Sequence, residues 1–412
     1  KNLGVLEQLK KISPRKPGVD FVNRDGKLHS LWCFKNVVKD EKYLSFHVKR
    51  SDFDDLLLKN SSKNGVSVLE ETAVKSVTLD MPDGTIEVFA ENMGQKKTFH
   101  AKFIIDASGQ STFLGNKLGV KKSYNALDRV AFFTHWSNST FDTQLNQGVI
   151  KIVYLGEEED KLGWSWVIPI SADNLSIGIV VNNSFVKKQK EKFIKAGSEN
   201  WKHDLYMEEI KNAAAIQGLL GSASVCHKVQ VIGDYSYYCE KKYGDNYAII
   251  GDAGAFLDPI FSSGIYVGMH SAELLANALD KKFKTGDSKE MDQAFELIGG
   301  ALKVLEKFIR LFYSPGNMNF ATAGNPSELM KFKQTESIYS IFHFLLAGDF
   351  FENHHKYNEF LDTMLDPKNI GKFSNLIKHT HAESPDADCG EKFEEMYGRV
   401  MNEIQFNLSE LS

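Results

Sequence analysis

The most constraining feature of this sequence is the run GDAGAFLDPIFSSGI at residues 251–265. A strand-like segment, YAII, precedes the run, and a helical pattern covers residues 267–279 after it. The glycines and alanines in the run let the backbone approach a ligand closely, because small residues leave space that a larger side chain would fill. The order of strand, small-residue turn and helix start therefore predicts a ligand-binding turn in an α/β fold, although an ordinary strand-to-helix turn shares part of this pattern.

Two kinds of ligand group suit this turn. Asp252 offers a carboxylate to hydroxyl groups of the ribose or ribityl type. Backbone N–H groups near Ser263 and Gly264 lie at the predicted helix start, where the helix dipole favours an anion.

The run resembles the second FAD-binding motif of the hydroxylase-type flavoproteins. Its DPIFSSG portion is similar to that of the flavin-dependent halogenases that act on phenols and pyrroles. A second match is WSWVIP at residues 164–169, which resembles the W-x-W-x-I-P signature of halogenases. Two tryptophans one residue apart on a strand point to the same face, so core packing alone would also explain the pair.

The resemblance implies an α/β fold with a parallel-sheet FAD-binding domain of the hydroxylase or glutathione-reductase type. The implied FAD-binding residues are Arg50, Asp106, Gly109, Gly251, Asp252, Ala253, Pro259, Gly264 and Ile265. Arg50 belongs to FHVKRSDFD at residues 46–54, which is similar to a stretch near the cofactor in these flavoproteins. At a strand-to-helix junction its guanidinium would pair with a pyrophosphate, or else with Asp52 or Asp54 in a surface salt bridge.

The same resemblance places the chemical centre at Lys16. This residue lies in RKPGVDF, which resembles the segment carrying the essential lysine of halogenases. In that family reduced FAD (FADH2), O2 and chloride or bromide give hypohalous acid, and the lysine amine holds it or forms a haloamine. Partial desolvation lowers the pKa of a lysine and so allows a neutral amine. Lys10 and Lys11 are rivals if the register of the match differs.

The resemblance also assigns halide binding to Ser263 and Gly264, and a separating wall to Trp164 and Trp166. Such a wall would pass a small oxidant while keeping the substrate away from the flavin. Halogenases of the tryptophan type carry a glutamate two residues before the Ser/Thr-Gly pair, where this chain has Phe261. This difference implies a substrate that activates its own ring, namely a phenol or a pyrrole, either free or bound to a carrier protein. A separate flavin reductase would supply FADH2.

A chain of 412 residues exceeds the usual size of one hydrophobic core, so several domains are expected. The predicted domains are an FAD-binding domain at 1–122, an antiparallel-sheet substrate domain at 123–230, a return to the FAD-binding domain at 231–285 and a helical C-terminal region at 286–412. The sequence contains no Gly-x-Gly-x-x-Gly fingerprint, so the FAD-binding domain lacks its first βαβ unit. A fragment or a disordered and trimmed N-terminus explains this better than loss of tight flavin binding, since the remaining cofactor motifs are intact.

Charge and cysteine content limit the expected partners, metal sites and cellular location of the protein. A net charge of −5 gives no reason to expect a nucleic acid or an anionic membrane as partner. The four cysteines (33, 226, 239 and 389) are scattered, which argues against zinc or disulfides and indicates a reducing, cytoplasmic location. The histidine pairs 354–355 and 379 with 381 are interpreted as surface residues rather than metal ligands.

Local patterns predict the elements around these motifs. They are a helix tail at 1–12, strands within 18–34, a helix at 51–62 with Leu56, Leu57 and Leu58 buried, a strand at 65–69, antiparallel strands at 73–79 and 85–90, a buried strand at 102–106, antiparallel strands across 129–182, helices across 184–213 and at 266–283, and mostly helix from 289. The phenylalanine-rich segments 341–346 and 350–351 are interpreted as helical core, with a substrate lid as the alternative.

Two other functions remain open from the sequence. One is a related flavoprotein, such as an aromatic monooxygenase or an isoprenoid reductase, which Lys16, Trp164 and Trp166 argue against. The other is a non-catalytic binding protein on a decayed flavin fold, which only the missing glycine-rich fingerprint supports.

Overall fold

The computed structural model describes residues 2–34, 45–158, 161–170, 174–233, 235–314, 319–321 and 341–369. The strands in these residues are β1 (Arg15–Lys16), β2 (Gly18–Val22), β3 (His29–Cys33), β4 (Ser45–Phe46), β5 (Thr72–Thr78), β6 (Ile86–Asn92), β7 (Gln95–Ala101), β8 (Ile104–Asp106), β9 (Lys121–Ser123), β10 (Arg129–Ser137), β11 (Ile150–Glu158), β12 (Lys161–Pro169), β13 (Leu175–Asn182), β14 (Ser224–Val225), β15 (Gln230–Gly233), β16 (Tyr237–Cys239), β17 (Tyr247–Ile249) and β18 (Ala255–Phe256).

The α-helices in the same residues are α1 (Leu6–Ile12), α2 (Arg50–Lys63), α3 (Phe113–Lys117), α4 (Thr143–Asn146), α5 (Asn183–Lys195), α6 (Trp201–Lys211), α7 (Ala214–Leu220), α8 (Gly264–Thr285), α9 (Lys289–Phe312), α10 (341–347) and α11 (His354–Leu365). Within the described residues, no helix combines the length and the apolar character that crossing a membrane requires.

The chain divides into two compact units. The described residues of Lys1–Lys11, Arg50–Asn125 and Ser236–Gly299 form unit 1, and those of Ile12–Lys49, Ala126–Tyr235 and Gly300–Ser412 form unit 2. The segment 12–49, which the sequence places with the FAD-binding domain, thus packs within unit 2. The functional domain boundaries stay a prediction.

Unit 2 is built on an eight-stranded sheet in the order β14-β10-β13-β12-β11-β2-β3, with β15 also paired to β10. The β2–β11 pair is parallel and the other pairs are antiparallel, which confirms the antiparallel strands predicted across residues 129–182. Apolar side chains alternate along β10 and β13 and pack against α5, α6 and α7, because successive residues of a strand face opposite sides. This core fixes the strand that carries the tryptophan pair.

The phenylalanine-rich segments belong to the core, as the sequence interpretation favoured over a lid, with 341–346 on helix α10 and 350–351 in the loop between α10 and α11. Phe342 and Phe344 on α10 are fully buried, and Phe350 and Phe351 are 2% exposed. The Phe342 ring stacks on Phe308 of α9 at 5.5 Å between centroids. The buried area stabilises unit 2 because burial of apolar surface drives packing.

Unit 1 contains the strand-turn-helix arrangement predicted from residues 247–279. Strand β17 pairs in parallel with β8, and the chain then turns through residues 251–253 and leads by way of β18 into α8. Two three-stranded sheets, β5-β6-β7 and β9-β16-β18, complete the sheet content of the described part of the unit. The parallel pair confirms the α/β character of the predicted FAD-binding domain.

Three local expectations are wrong. Residues 65–69 form no strand, because Gly65 turns the chain at a φ of +91° and the following residues find no strand partner among the described residues. Leu58 is 40% exposed and Leu56 and Leu57 are half-buried, since α2 buries only Phe53. Strand β8 is not fully buried, because Ile104 is half-buried and Ile105 is 45% exposed, whereas Asp106 is buried.

Candidate active site

The Gly-Asp-Ala turn of unit 1 is held rigidly by its carbonyl groups. The Tyr237 hydroxyl donates to the Asp252 carbonyl oxygen at 2.5 Å, and the Thr112 hydroxyl donates to the Ala253 carbonyl oxygen at 2.5 Å. Gly251 has a φ of +57°, and a Cβ there would lie 3.7 Å from the Cα of Gly268 on α8. The turn and the helix therefore approach closely, as a turn that cradles a ligand requires.

Asp252 lies in this turn, and Arg50, the first residue of α2, is close enough for its charge to act on Asp252. Burial raises the pKa of the Asp252 carboxyl, and the positive charge of Arg50 partly offsets the rise. Arg50 makes a bidentate ion pair with Asp54, with Nε at 3.0 Å from Oδ1 and Nη2 at 2.9 Å from Oδ2. The surface salt bridge considered from the sequence is therefore present, while the guanidinium also lies in the field of Asp252.

The loop before α8 begins with a short 3-10 turn whose first residue is Pro259. The buried Asp258 carboxylate accepts from the Ile260 N–H at 3.1 Å and so caps this turn. Ser263 is the N-cap residue of α8, and its side chain makes no capping hydrogen bond to the helix. Anions are stabilised at such a helix start by roughly 0.3–1 kcal/mol.

The first residues of α8 bring a carboxylate and the predicted halide position close together. A Cβ on Gly264 would lie 3.9 Å from Asp252 Oδ1, and Ile265 beside it is 40% exposed. A carboxylate at this point repels an anion, and the nearby positive charge of Arg50 offsets part of that repulsion.

Asp106 and Gly109 shape a neighbouring loop. Both carboxylate oxygens of the buried Asp106 accept backbone N–H groups, from Ser108 at 2.9 Å and from Leu114 at 2.6 Å. Gly109 has a φ of +64° with open space where a Cβ would stand. The observed contacts of Asp106 order the loop; a direct contact with a cofactor stays a prediction.

Lys16 lies on β1 of unit 2. Strand β1 pairs with β4, and the Lys16 Nζ is 5.9 Å from the centre of the Phe34 ring. Lys16 as a whole is half-buried, and burial lowers the pKa of its amine to about 8. The rivals Lys10 and Lys11 are exposed on α1, where Lys10 pairs with Glu7 at 2.9 Å.

Trp164 and Trp166 of β12 lie side by side, with ring centroids 5.7 Å apart. Trp164 is 1% exposed and donates its indole N–H to the Tyr313 hydroxyl at 2.7 Å. Trp166 is half-buried and donates to Ser176 Oγ at 3.2 Å. Its ring lies over Gly178, where a Cβ would stand 2.1 Å from the indole. The pair shares a face as predicted, and both rings make cross-strand or core contacts.

Sequence patterns missed the partners that orient these residues. Tyr313 follows Trp164 by 149 positions, and Gly178 reaches Trp166 only through the β12–β13 pairing. His47 and Gly148 contact the Lys16 segment at Pro14 and at Arg15, and they are 101 positions apart in the chain. Only a three-dimensional structure reveals such contacts, since no local spacing links the residues.

The histidine pair at 354–355 lies at the start of α11. The His354 ring packs against Gly300 of α9, where an added Cβ would lie 2.2 Å from His354 Nδ1. The centroids of the His354 and His355 rings are 5.8 Å apart. His379 and His381 lie outside the described residues. Among those that are described, no group of three or more histidine, cysteine or carboxylate side chains is arranged to hold a metal ion.

A family model for tryptophan halogenase matches residues 23–319, well over half of the chain. The chain belongs to the tryptophan halogenase family. The tryptophan halogenase model covers the β12 tryptophan pair, Arg50 and the whole 251–265 run, while Lys16 precedes the matched residues. The resemblance found in the sequence motifs is thereby confirmed.

Two curated relatives illustrate the range of the tryptophan halogenase family. A tryptophan 2-halogenase of Chondromyces crocatus is 29% identical over 246 residues, which are 59% of this chain and 45% of the relative. A 1H-pyrrole-2-carbonyl-[peptidyl-carrier protein] chlorinase of Pseudomonas fluorescens is 26% identical over 333 residues, 76% of this chain and 72% of the relative. The chain spans about half the length of the first curated relatives it matches.

Solved structures confirm the fold. The flavin-dependent brominase Bmp2 superposes with a TM-score of 0.68 at 24% identity and covers 88% of this chain and 85% of its own. The chain therefore has the α/β FAD-binding fold of these proteins, with a helical C-terminal region.

The residues of unit 1 fit an FAD molecule. The anchored turn at Gly251, the open space at Gly109, and the Asp252 carboxylate beside a guanidinium together offer hydroxyl acceptors, close backbone approach and a positive charge. These are the donor and acceptor groups that a ribityl chain and a pyrophosphate require.

Proposed function

We propose that this protein is an FADH2- and O2-dependent halogenase that installs chlorine or bromine on an electron-rich aromatic ring. The observation that carries the proposal is the half-buried Lys16 on β1, in the segment that resembles the essential lysine segment of halogenases; its amine lies 5.9 Å from the Phe34 ring centre, and burial lowers its pKa to about 8. The family match over residues 23–319 supports the same reaction class.

FAD supplies, when bound and reduced, the oxidising equivalents from O2 that turn halide into hypohalous acid. The chain would hold the cofactor with Arg50, Asp106, Gly109, and the run from Gly251 to Ile265. Halide would lie near Ser263 and Gly264, where the helix start and Arg50 favour a negative charge. Because that stabilisation is only of the order of 1 kcal/mol, halide binding should be weak.

Lys16 would pass the oxidised halogen to the substrate. At pH 7 an amine of pKa about 8 is neutral in about one molecule in ten, against roughly one in three thousand for an ordinary lysine. A neutral amine can accept a hydrogen bond from hypohalous acid, or attack its halogen to give a haloamine and water. Protonated Lys16 donates instead, so both forms can hold the oxidant.

Trp164 and Trp166 would separate the flavin from the substrate. The hydrogen bond to Tyr313 and the close fit over Gly178 fix both rings, which supports a rigid wall. Such a wall favours halogenation over direct hydroxylation, because a hydroxylase must bring its substrate to the flavin.

The proposed substrate is a phenol or a pyrrole, since Phe261 stands where tryptophan-type relatives carry a glutamate. The matched chlorinase, whose printed substrate is a pyrrole bound to a carrier protein, supports the pyrrole class and a carrier-bound form. We further propose that a separate flavin reductase supplies FADH2. We also propose a cytoplasmic location, supported by the free thiols of Cys33, Cys226 and Cys239.

The test is product mass analysis of the full-length protein with reduced FAD, O2, chloride or bromide, and a panel of phenols and pyrroles. The proposal predicts products with the mass and isotope pattern of one added halogen. Hydroxylated products would instead identify an aromatic monooxygenase, and saturation of an isoprenoid chain would identify a reductase. A preparation without flavin absorbance or turnover would identify a non-catalytic binding protein.

A further inference from the structure

The Lys16 segment is held at both ends by backbone hydrogen bonds. The His47 N–H donates to the Pro14 carbonyl oxygen at 2.9 Å, and the Phe34 N–H donates to the Pro17 carbonyl oxygen at 2.8 Å. Between these bonds, Lys16 pairs with Ser45 in the β1–β4 ladder. The backbone of the lysine is therefore fixed from two sides by residues that come later in the chain.

The His47 side chain extends this attachment to a third segment. Its Nε2 lies 2.6 Å from the Gly148 carbonyl oxygen, and the residue is only 8% exposed. A carbonyl oxygen only accepts, so Nε2 carries the proton. Burial is the main cause that lowers the pKa of the ring to about 4; the hydrogen bond to Gly148 opposes this effect, and the nearby Lys16 charge adds to it. The imidazole is thus a neutral donor at neutral pH.

Gly148 fits tightly against the residue before the lysine. Its φ is +87°, and a Cβ there would lie 2.1 Å from the Arg15 carbonyl oxygen. Any side chain at this position would push the β1 backbone away. His47 therefore connects its own segment, the lysine segment and the Gly148 turn, which leads into β11 of the sheet that carries the tryptophan pair.

We propose that His47 is the positioning residue for Lys16, clamping the segment that carries the amine against the Gly148 turn. The inference rests on the proposed function, in which Lys16 passes on the oxidised halogen. A neutral imidazole suits this place, because a second cation beside the amine would repel the protonated lysine. Loss of the clamp would let the lysine segment move and water reach the amine, which would raise the pKa of the amine toward its ordinary value.

The experiment follows the reactivity of Lys16 against pH, because only a neutral amine is acylated. The full-length protein is labelled briefly with an acylating reagent at pH values from 6 to 11, and mass spectrometry quantifies the label on the Lys16 peptide. Lys27, whose side chain is 82% exposed in the same unit, is the internal control. The wild type should show a Lys16 midpoint near pH 8, and the labelling of Lys27 should be the same in wild type and in every His47 variant.

Two His47 variants separate the hydrogen bond from the ring volume. His47→Phe keeps an aromatic ring and loses the donor, so the Lys16 midpoint should rise by about one pH unit or more as water reaches the amine. His47→Gln retains an N–H donor and should restore a midpoint within about half a unit of wild type. An unchanged Lys16 profile in a folded His47→Phe protein would overturn the proposal, since a merely structural histidine leaves the amine unaffected.

A measurement on the wild type covers the case in which His47→Phe does not fold. Nitrogen-15 spectra of the ring should show the neutral form with the proton on Nε2 throughout pH 6–8. A ring that titrates near pH 6.5 would overturn the clamp. Labelling does not require turnover, so it separates failure of the clamp from failure of the proposed function, which product analysis decides.

Discussion

The indole N–H of Trp164 donates a hydrogen bond to the hydroxyl oxygen of Tyr313 over 2.7 Å. Both residues are almost fully buried, and the Arg129 guanidinium lies 4.1 Å from the centre of the Tyr313 ring. This tyrosine, directly after α9, thereby fixes the orientation of one tryptophan of the signature pair. A rigid wall requires such a partner, because a buried indole N–H without a hydrogen bond destabilises the folded state.

Removing either side of this hydrogen bond should lower stability, and the two losses should not add. Trp164→Phe and Tyr313→Phe each remove one partner and leave the other polar group buried, so each should reduce the free energy of unfolding by about 1–3 kcal/mol. Urea unfolding of the single and double variants gives the coupling energy, expected at roughly 1 kcal/mol. Strictly additive losses would show that the bond contributes nothing.

Gly178→Ala should disturb Trp166 without changing the tryptophan itself. The new Cβ would stand 2.1 Å from the indole, so the ring must shift. We expect less halogenated product per FADH2 oxidised, measured as product against flavin oxidation. Gly218→Ala in α7 is the matched control, because a Cβ there meets nothing within 4 Å. Equal coupling in both variants would argue against the wall.

Arg50→Ala should weaken FAD binding, because a charge-assisted hydrogen bond to a pyrophosphate contributes about 1.5–3 kcal/mol. This corresponds to a loss in affinity of roughly 10- to 100-fold. Asp54→Ala is the control, since it removes the competing ion pair and leaves Arg50 free to bind the cofactor. Its affinity should equal or exceed that of wild type in fluorescence titrations with FAD. If Asp54→Ala bound FAD more weakly than Arg50→Ala, Arg50 would serve only the surface salt bridge.

His343 should make the protein less stable in acid. The buried ring contacts the Cys33 carbonyl oxygen through Nε2 at 2.7 Å, and burial lowers its pKa to about 4. Between pH 6.5 and 4 His343 is protonated in the unfolded chain and stays neutral in the folded chain. The free energy of unfolding therefore falls as pH falls. The shift corresponds to about 3 kcal/mol across that window.

His343→Gln keeps a donor near the carbonyl and removes the titrating ring. Denaturant unfolding at pH values from 7 to 4 should therefore show a shallower loss of stability in this variant than in wild type. Parallel curves for the two proteins would contradict the assignment of a low pKa to His343.

The strand-turn-helix at 247–279 and the tryptophan pair could be predicted from sequence, because both depend on local spacing and on residue types with a strong conformational meaning. Helix α2 shows the limit of such patterns. Three consecutive leucines predicted a buried side, yet only Phe53 is buried, since which face packs depends on distant elements.

The candidate site shows the same limit at longer range. The lowered pKa of Lys16 depends on burial by segments that are distant in sequence, and the close fit of Gly148 against Arg15 follows from a turn geometry that no motif records. The sequence identified the lysine by resemblance, whereas its environment required the structure.

Lys16→Met tests the central claim most directly. The full-length variant and wild type are compared for FAD binding, by flavin fluorescence, and for halogenated product, by mass analysis with reduced FAD, O2 and bromide. Lys27→Met is the matched control, because its side chain is largely exposed. The account predicts that Lys16→Met binds FAD normally and yields no halogenated product, while Lys27→Met keeps wild-type yield. Halogenation by Lys16→Met at the wild-type rate would contradict it.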